Sequence, residues 1–137
     1  MKILVTGGAG FIGSNIADAY IAAGHKVVII DNLSSGKLRN VNKKAKFYQA
    51  DIRDAKKVND IFKWERFEVV NHHAAQIDVR KSVLDPVFDA QVNVLGTLNL
   101  LEAARQFCRA SPFIHMSTNK VYGDRPNQIA LRELDTR

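Results

Sequence analysis

The stretch TGGAGFIG at residues 6–13 constrains the fold of this chain more than any other part of the sequence. It follows the short apolar run Lys2–Thr6 and precedes residues 14–23, where apolar side chains recur at helical spacing. A strand, spaced glycines and a helix in this order favour a turn that binds a dinucleotide, because a helix N-terminus offers unpaired N–H groups and partial positive charge to a pyrophosphate. The alternative is a purely structural turn.

The glycines of this stretch have separate predicted roles. Gly7 and Gly8 allow a tight turn, and Gly10 has no side chain that would keep a phosphate away from the backbone. Gly13 allows the helix to pack close to the first strand. The stretch also resembles the opening of a P-loop, but Ser14 follows where a P-loop needs a lysine, which disfavours a nucleoside triphosphatase.

The remaining sequence alternates between strand and helix patterns, without internal repeats or a linker. Strands are predicted at Lys2–Thr6, Lys26–Asp31, 46–50, 67–73 and 112–117. Helices are predicted at 14–23, 54–64 and 86–107, with Asp54 and Asp85 as caps and Pro86 in the first helical position, and a loop at 118–137. We therefore predict one α/β domain over residues 1–137, a doubly wound parallel sheet of the Rossmann type with strand order 3-2-1-4-5.

The end of the second predicted strand indicates which dinucleotide is bound. Asp31 ends that strand, where a carboxylate can accept hydrogen bonds from both ribose hydroxyls of the adenosine. A 2′-phosphate at about 4 Å would be repelled by ~1 kcal/mol in water and by ~4 kcal/mol at an effective dielectric near 20. Lys37 and Arg39 lie nearby in sequence and could soften that repulsion. The sequence predicts NAD over NADP.

The charge and the cysteine content limit which partners and which cellular compartment the sequence favours. The net charge is +6, from 20 Lys and Arg against 14 Asp and Glu, with basic residues in the segment 36–46 and at Arg125, Arg132 and Arg137. A solvated face is the favoured interpretation over attraction to anions, either nucleic acid or the diphosphate of a nucleotide ligand. Aromatic residues do not alternate with the basic ones, as a surface that binds single strands would need. A single cysteine, Cys108, excludes an internal disulfide and fits a reducing compartment. Neither a signal peptide nor a membrane-spanning run is expected, so we predict a cytoplasmic protein.

Six motifs carry a resemblance to a known family. TGGAGFIGS, DNLSSG, ADIRD, HHAAQ, NVLGTLNLLEA and STNKVYGD follow one another in this order. Together they resemble the extended short-chain dehydrogenase/reductase family, and within it the NAD-dependent nucleotide-sugar epimerases and dehydratases. DNLSSG and HHAAQIDVRKSVLDP are most similar to UDP-glucose 4-epimerases, whereas STNKVYGD and the tail ELDTR are more similar to the CDP-tyvelose (paratose 2-) epimerase branch. The branch stays open at this point.

The resemblance implies NAD as cofactor and a set of residues that contact it. This set is Gly7, Gly10, Phe11, Ile12 and Gly13 at the pyrophosphate, Asp31 at the adenosine ribose with Asn32, Ser34, Ser35 and Gly36 beside it, Asp51 and Ile52 at the adenine, Ala74, Ala75 and Gln76 beside the nicotinamide half, and Asn93 on the long helix below the cofactor. Thr118 matches the catalytic Ser/Thr that hydrogen-bonds the sugar hydroxyl undergoing oxidation. Simpler interpretations are a helix N-terminal charge for Asp51, a strand-end hydroxyl for Thr118 and helix packing for Gly96.

The acid/base pair of the family is absent from this chain. Family members use a tyrosine followed four residues later by a lysine, because a phenol with a pKa near 10 needs such a neighbour near neutral pH. The tyrosines here are Tyr20, Tyr48 and Tyr122, and none has a lysine four residues on. The resemblance therefore implies a cofactor-binding part that lacks the later strands and the C-terminal substrate region, supplies the NAD site of a nucleotide-sugar epimerase and is inactive alone. The alternatives are a stand-alone NAD-sensing or partner-binding pseudoenzyme, or a basic nucleic-acid-binding protein.

Two further expectations concern metals and self-association. His72 and His73 are adjacent on a strand and point to opposite faces, which disfavours a shared metal ion, and no G-x-S-x-G hydrolase motif is present. The last predicted strand, 112–117, would form an open apolar edge, and open edges recruit partners. The long helix 86–107 resembles the dimer helix of the family. We therefore expect a homo-oligomer, with a nucleotide sugar as the substrate of the parent enzyme and no nucleic-acid or membrane partner.

Overall fold

The computed structural model describes residues 1–130, so the predicted loop beyond position 130, with Arg132 and Arg137, lies outside the described residues. Five parallel strands form one sheet in the order β3-β2-β1-β4-β5, which confirms the predicted topology. The strands are β1 Lys2–Thr6, β2 Lys26–Asp31, β3 Lys46–Gln49, β4 Val69–His72 and β5 Phe113–His115. The first two match the predicted bounds, whereas β3, β4 and β5 are shorter than predicted. Single backbone hydrogen bonds, such as those from the Glu68 amide to the Lys2 carbonyl and from the Met116 amide to the His72 carbonyl, continue the pairing just outside these bounds.

Helices cover both faces of the sheet. They are α1 Phe11–Ala22, α2 Ala55–Glu65, α3 Val79–Leu84, α4 Pro86–Ala90 and α5 Thr97–Phe107, with a π-helical segment Gln91–Gly96 between the last two and 3-10 turns at Leu38–Asn40, Asn119–Tyr122 and Arg125–Gln128. The predicted caps are confirmed: Asp54 accepts from the Lys57 amide, and Asp85 from the Phe88 amide with Pro86 in the first turn.

The helices of the structure differ from the predicted ones in four places. The first helix begins at Phe11 instead of position 14, because Gly10 is its N-cap and the helix starts inside the glycine stretch. Helix α3 was not predicted, although Asp78 caps it by accepting from the Arg80 amide. The long helix is not regular, since Gln91–Gly96 is π-helical. Part of the segment predicted as loop after position 118 forms the two 3-10 turns.

Two apolar clusters hold the layers together. On one face Leu4, Val28 and Val70 of the sheet pack against Phe62 of α2 and Leu100 of α5. On the other face, a smaller cluster places Ala17 of α1 against Ile3, Val5, Val27 and Ile29. Near-continuous apolar strands buried on both faces are typical of parallel sheets. None of the helices within residues 1–130 has the length and apolar character needed to span a lipid bilayer.

A buried carboxylate connects helix α2 to two strands near the amino ends of those strands. Glu65, at the end of α2, is 6% exposed and accepts hydrogen bonds from Lys2 Nζ, Lys46 Nζ and the Tyr48 hydroxyl. Burial raises the pKa of Glu65, but the three hydrogen bonds outweigh it and lower that pKa to about 2. The ionised form is therefore part of the folded state.

We expect Glu65→Gln to lower the free energy of unfolding by about 2 kcal/mol at pH 7, because the amide cannot pair with two ammonium groups that are themselves partly solvated. A carboxyl group with a lowered pKa stabilises the fold fully above its ordinary pKa of 4.5 and loses that contribution as the pH falls toward 2. Urea denaturation at pH 7 and pH 3 checks this, since the difference in free energy of unfolding between wild type and Glu65→Gln should be smaller at pH 3. An equal difference at the two pH values would contradict the prediction.

Candidate functional site

The candidate site lies at the carboxyl ends of β1, β2 and β4. From β1 the chain runs to β2 and β3 on one side of the sheet, then crosses to β4 and β5 on the other side. Ligands of open α/β sheets bind in the crevice that this reversal leaves outside the strand ends. The glycine stretch 7–13 lies at this crevice because it directly follows β1.

The glycine turn is tight and its backbone is closely packed. Gly7 has φ +68°, and its amide donates to the Ile30 carbonyl over 2.8 Å. A Cβ atom on Gly7 would lie 2.8 Å from the Ala74 nitrogen, and one on Gly13 would overlap the Gly7 carbonyl. The close packing of the helix on the strand end, predicted for Gly13, is therefore confirmed.

Gly10 differs from its neighbours because the fold itself does not require a residue without a side chain at this position. A Cβ atom there would meet only the Gly7 carbonyl oxygen, at 3.2 Å, and would otherwise project into open space. Phe11 and Ile12, the first residues of α1, expose 85% and 59% of their surface. The first amides of a helix have no acceptor within it, so the turn presents N–H groups beside an uncluttered backbone.

Asp31 is fixed by the glycine turn. Its carboxylate is almost fully buried and accepts from the Ala9 amide over 3.0 Å and from the Leu33 amide over 2.7 Å. Each carboxylate oxygen has two lone pairs, so one acceptor position on each remains for a ligand hydroxyl. The bond to Ala9 was not predicted, and it joins the candidate ribose ligand to the candidate pyrophosphate turn.

The loop after β2 packs against the same turn. A Cβ atom on Gly36 would lie 2.8 Å from the Ala9 Cβ, and the Lys37 amide donates to the Ala9 carbonyl over 3.0 Å. Asn32, Ser34 and Ser35 are exposed in this loop, and Asn32 Oδ1 accepts from the Ser34 amide. The predicted flanking residues therefore lie in a loop that follows Asp31 and packs against the glycine turn.

Asp51 lies at the carboxyl end of β3 and is held by a partner that sequence reasoning missed. Arg53 donates to it through Nε over 3.0 Å and through Nη2 over 2.8 Å, and Asn32 Nδ2 donates over 3.0 Å. The hydrogen bonds from Arg53, with that from Asn32, lower the pKa of Asp51 to about 2 against the opposing effect of burial. The Arg53 guanidinium lies 5.0 Å from the ring centroid of Phe88. A basic residue two positions after a strand-end carboxylate was the available signal.

A shallow crevice of about 490 Å³ opens beside this pair. Its lining comprises Asp51, Arg53, Asp54, Gln91 and Leu95. Ile52 does not line it: its side chain is 5% exposed and would lie 2.7 Å from a Cβ atom on Gly96. Ile52 can therefore meet a ligand only through its backbone, and Gly96 serves the packing of Ile52.

The turn after β4, residues 74–76, lies on the β4 side of the strand ends and packs against Gly7. Asn93 reaches it from the π-helical segment and holds Gln76 by two bonds: the Gln76 amide donates to Asn93 Oδ1 over 2.8 Å, and Asn93 Nδ2 donates to the Gln76 carbonyl over 3.0 Å. The predicted residues Ala74, Ala75, Gln76 and Asn93 are therefore brought together. Thr118 lies on the exposed segment after β5, the strand next to β4, at the same edge of the sheet.

Within residues 1–130 no group of three or more His, Cys, Asp or Glu side chains is arranged to hold a metal ion. His72, which the sequence suggested only as a doubtful metal ligand, instead hydrogen-bonds to two threonines, Thr6 and Thr97. Neither threonine was predicted as a site residue, because residues far apart in sequence give no local signal of a shared partner.

Comparison with known proteins places the chain in a family. The family model described as GDP-mannose 4,6 dehydratase matches residues 4–136. A putative UDP-glucose 4-epimerase of Methanocaldococcus jannaschii is 48% identical over 96% of this chain, and the CDP-paratose 2-epimerase of Salmonella typhi is 38% identical over 100% of it. The chain spans only 42% of the length of each of these relatives.

A solved structure gives the same result. The crystal structure of UDP-glucose 4-epimerase from Thermus thermophilus in complex with NAD is 51% identical and superimposes with a TM-score of 0.77, covering 79% of this chain and 35% of that one. The sheet order, the glycine turn and a family match over nearly all residues point the same way. This chain belongs to the extended short-chain dehydrogenase/reductase family, in the GDP-mannose 4,6 dehydratase-like group that contains nucleotide-sugar epimerases.

Proposed function

We propose that this chain is the NAD-binding part of a nucleotide-sugar epimerase similar to UDP-glucose 4-epimerase, and that it does not turn over a sugar by itself. The observation that carries the proposal is the hydrogen bond from the Ala9 amide to Asp31. It fixes a buried carboxylate next to a turn with exposed amides, so the groups that would bind the ribose and the pyrophosphate form one preorganised surface.

The residues present fit a dinucleotide. Gly10 leaves open space above the turn, and the first amides of α1 supply donors and partial positive charge for a pyrophosphate. Asp31 retains acceptor positions for two hydroxyls. Asp51, on the next strand, lines the crevice where the adenine would follow. A 2′-phosphate would add negative charge beside Asp31, and we therefore propose NAD over NADP.

The cofactor would accept a hydride from a sugar carbon and return it to the other face, which inverts that carbon. This chain would bind and orient the cofactor: Asp31 holds the ribose, the glycine turn holds the pyrophosphate, and residues 74–76 form the wall on the far side. Thr118 is our candidate for the hydroxyl that hydrogen-bonds the reacting sugar. The acid/base step needs a tyrosine with a lysine four residues on, and none of the three tyrosines here has one.

We infer an epimerase of the UDP-glucose type over the other branches. The M. jannaschii relative is 48% identical and the CDP-paratose 2-epimerase 38% identical over similar shares of the chain. Asn119 follows Thr118, whereas a dehydratase of this family would have an acidic residue in this region.

Self-association is the second part of the proposal. The face of the long helical segment away from the core exposes a row of large apolar residues, namely Val87, Val94, Leu98 and Leu101. An exposed apolar stripe of this kind marks an interaction surface, and we propose a second copy of the chain as its partner. Light scattering of wild type and Leu98→Glu checks this, since only wild type should show a mass above that of the monomer.

Titration of the chain with NAD⁺ and NADP⁺ tests the cofactor proposal. We expect saturable NAD⁺ binding that weakens by about tenfold or more in Asp31→Asn, because hydrogen bonds to a charged acceptor contribute about 1.5–3 kcal/mol. The same substitution should narrow the preference for NAD⁺ over NADP⁺. Asp60→Asn, an acidic position on α2 outside the crevice, is the matched control and should bind as wild type does. A chain that is folded and binds neither dinucleotide would contradict the proposal.

A further inference from the structure

A buried histidine connects three elements beneath the turn 74–76. His72 ends β4 and is 2% exposed. Its Nδ1 atom lies 2.7 Å from the hydroxyl of Thr6, at the end of β1, and its Nε2 atom lies 2.9 Å from the hydroxyl of Thr97, at the start of α5. Both ring nitrogens are therefore engaged by side chains from different parts of the fold.

The hydrogen positions follow from counting donors and acceptors. The Thr97 hydroxyl donates its one hydrogen to the Asn93 carbonyl over 2.8 Å, so it must accept from His72, and Nε2 carries the proton. Nδ1 then accepts from the Thr6 hydroxyl. The two lone pairs of Thr6 Oγ1 receive the amides of His73 and Ala74, each over 3.2 Å. We call this chain of hydrogen bonds, from Thr6 through His72 and Thr97 to the Asn93 carbonyl, the relay. Only when the proton is on Nε2 does every donor in the relay have an acceptor.

The relay sets the position of the turn 74–76. Thr6 holds the amides at the start of the turn, and Asn93, whose carbonyl also accepts from Thr97, holds Gln76 at its end. The Ala74 nitrogen lies 2.8 Å from the place that a Cβ atom on Gly7 would occupy. The turn 74–76 therefore packs directly against Gly7, and a small shift of residues 74–76 would change how the two turns are placed relative to each other.

We propose that Thr97 and His72 are positioning residues for the second half of the dinucleotide, the half that lies on the β4 side of the pyrophosphate. The proposal rests on the proposed NAD binding. Asp31 and Asp51 stand on the β2 and β3 side of the glycine turn and would take the adenosine. The nicotinamide half then falls on the side of β4, against the turn that the relay holds.

The charge state of His72 supports this assignment. Burial, followed by the repulsion from His115 and His73, lowers the pKa of His72 to about 4. The ring is therefore neutral at physiological pH, as the relay requires. His115 on β5 lies 5.4 Å away between ring centroids, while Thr6, Thr97 and the Phe113 ring occupy the other sides.

Titration with NAD⁺ and with ADP separates positioning from a structural role. ADP keeps the adenosine and the pyrophosphate but lacks the second ribose and the nicotinamide. We expect Thr97→Val to weaken NAD⁺ binding by about tenfold while ADP binding changes less than about twofold, because the His72 Nε2–H group loses its acceptor and the turn that faces the nicotinamide half is no longer held in place. Thr97→Ser keeps the hydroxyl and should restore NAD⁺ binding. Thr97→Ala favours the helix and serves if valine disturbs folding.

Nitrogen-15 NMR of the His72 ring gives a readout that does not depend on the ligand. Wild type should show the Nε2–H tautomer, and Thr97→Val should lose this preference. Equal weakening of NAD⁺ and ADP would mean a merely structural role and would overturn the inference, as would unchanged NAD⁺ affinity in Thr97→Val or a wild-type Nδ1–H tautomer. Wild type that binds ADP and NAD⁺ equally well also overturns it, whereas wild type that binds neither overturns the proposed function together with it.

Discussion

Gly13→Ala is expected to destabilise the chain by about 3 kcal/mol, whereas Gly10→Ala is expected to leave the fold nearly intact and to abolish NAD⁺ binding. The methyl group on Gly13 would overlap the Gly7 carbonyl and lie 2.8 Å from the Gly7 carbonyl carbon, so backbone must move, and overpacking of this kind costs about 1–3 kcal/mol or more. On Gly10 the methyl group meets only one atom, at 3.2 Å. It projects instead into the space where a phosphate would approach the amides.

Urea denaturation and NAD⁺ titration of both variants check this pair of predictions. Gly24→Ala is a useful reference: Gly24 has φ +81° with nothing within 4 Å of an added Cβ atom, so its cost reports backbone strain alone, about 1–2 kcal/mol. The ranking in loss of stability should be Gly13, then Gly24, then Gly10. Equal stabilities for the Gly10 and Gly13 variants, or full NAD⁺ binding by folded Gly10→Ala, would show that the turn does not divide its glycines between fold and ligand.

Local patterns account for the parts of the fold that the sequence predicted. The strands β1 and β2 are apolar runs bounded by charged or turn residues, and the caps Asp54 and Asp85 act within three residues of themselves. Helix α3 was missed because it has only six residues and its apolar residues Val79, Val83 and Leu84 are exposed, although Asp78 was a usable capping signal. The π-helical segment has no sequence signature of its own.

The candidate site also has a part that local patterns predict and a part that they do not. The position of Asp31 was predictable because a strand end and a glycine turn have a known spatial relation. Its bond to Ala9, the pairing of Asp51 with Arg53, and the relay from Thr6 through His72 to Thr97 depend on side chains that meet only after the strands have taken their register. His72 illustrates the limit best. The sequence disfavoured a metal ion shared with its neighbour His73 but indicated no other partner, and only the structure shows that two hydroxyls occupy the nitrogens of His72.

Acidification from pH 7 to pH 4 is expected to remove up to about 3 kcal/mol of the stability that His72 contributes. The pKa of His72 is about 4 in the folded chain against an ordinary 6.5, so between these values the unfolded chain binds a proton that the folded chain does not. Stability from this group is therefore complete above pH 6.5, falls as the pH falls toward 4, and changes no further below it. Protonation would also make Nδ1 a donor, and the Thr6 hydroxyl could no longer donate to it.

The measurement is urea denaturation of wild type and His72→Asn at intervals between pH 7.5 and pH 4, in the absence of nucleotide. Asparagine keeps polar atoms near Thr6 and does not titrate, while Glu65, at the amino ends of the strands, is present in both chains and cancels in the difference. Wild type should be the more stable chain at pH 7.5, and its advantage should shrink with acid. A constant difference over this range would mean that the pKa of His72 is the same in the folded and the unfolded chain, which is incompatible with a buried ring that stays neutral as the Nε2–H tautomer.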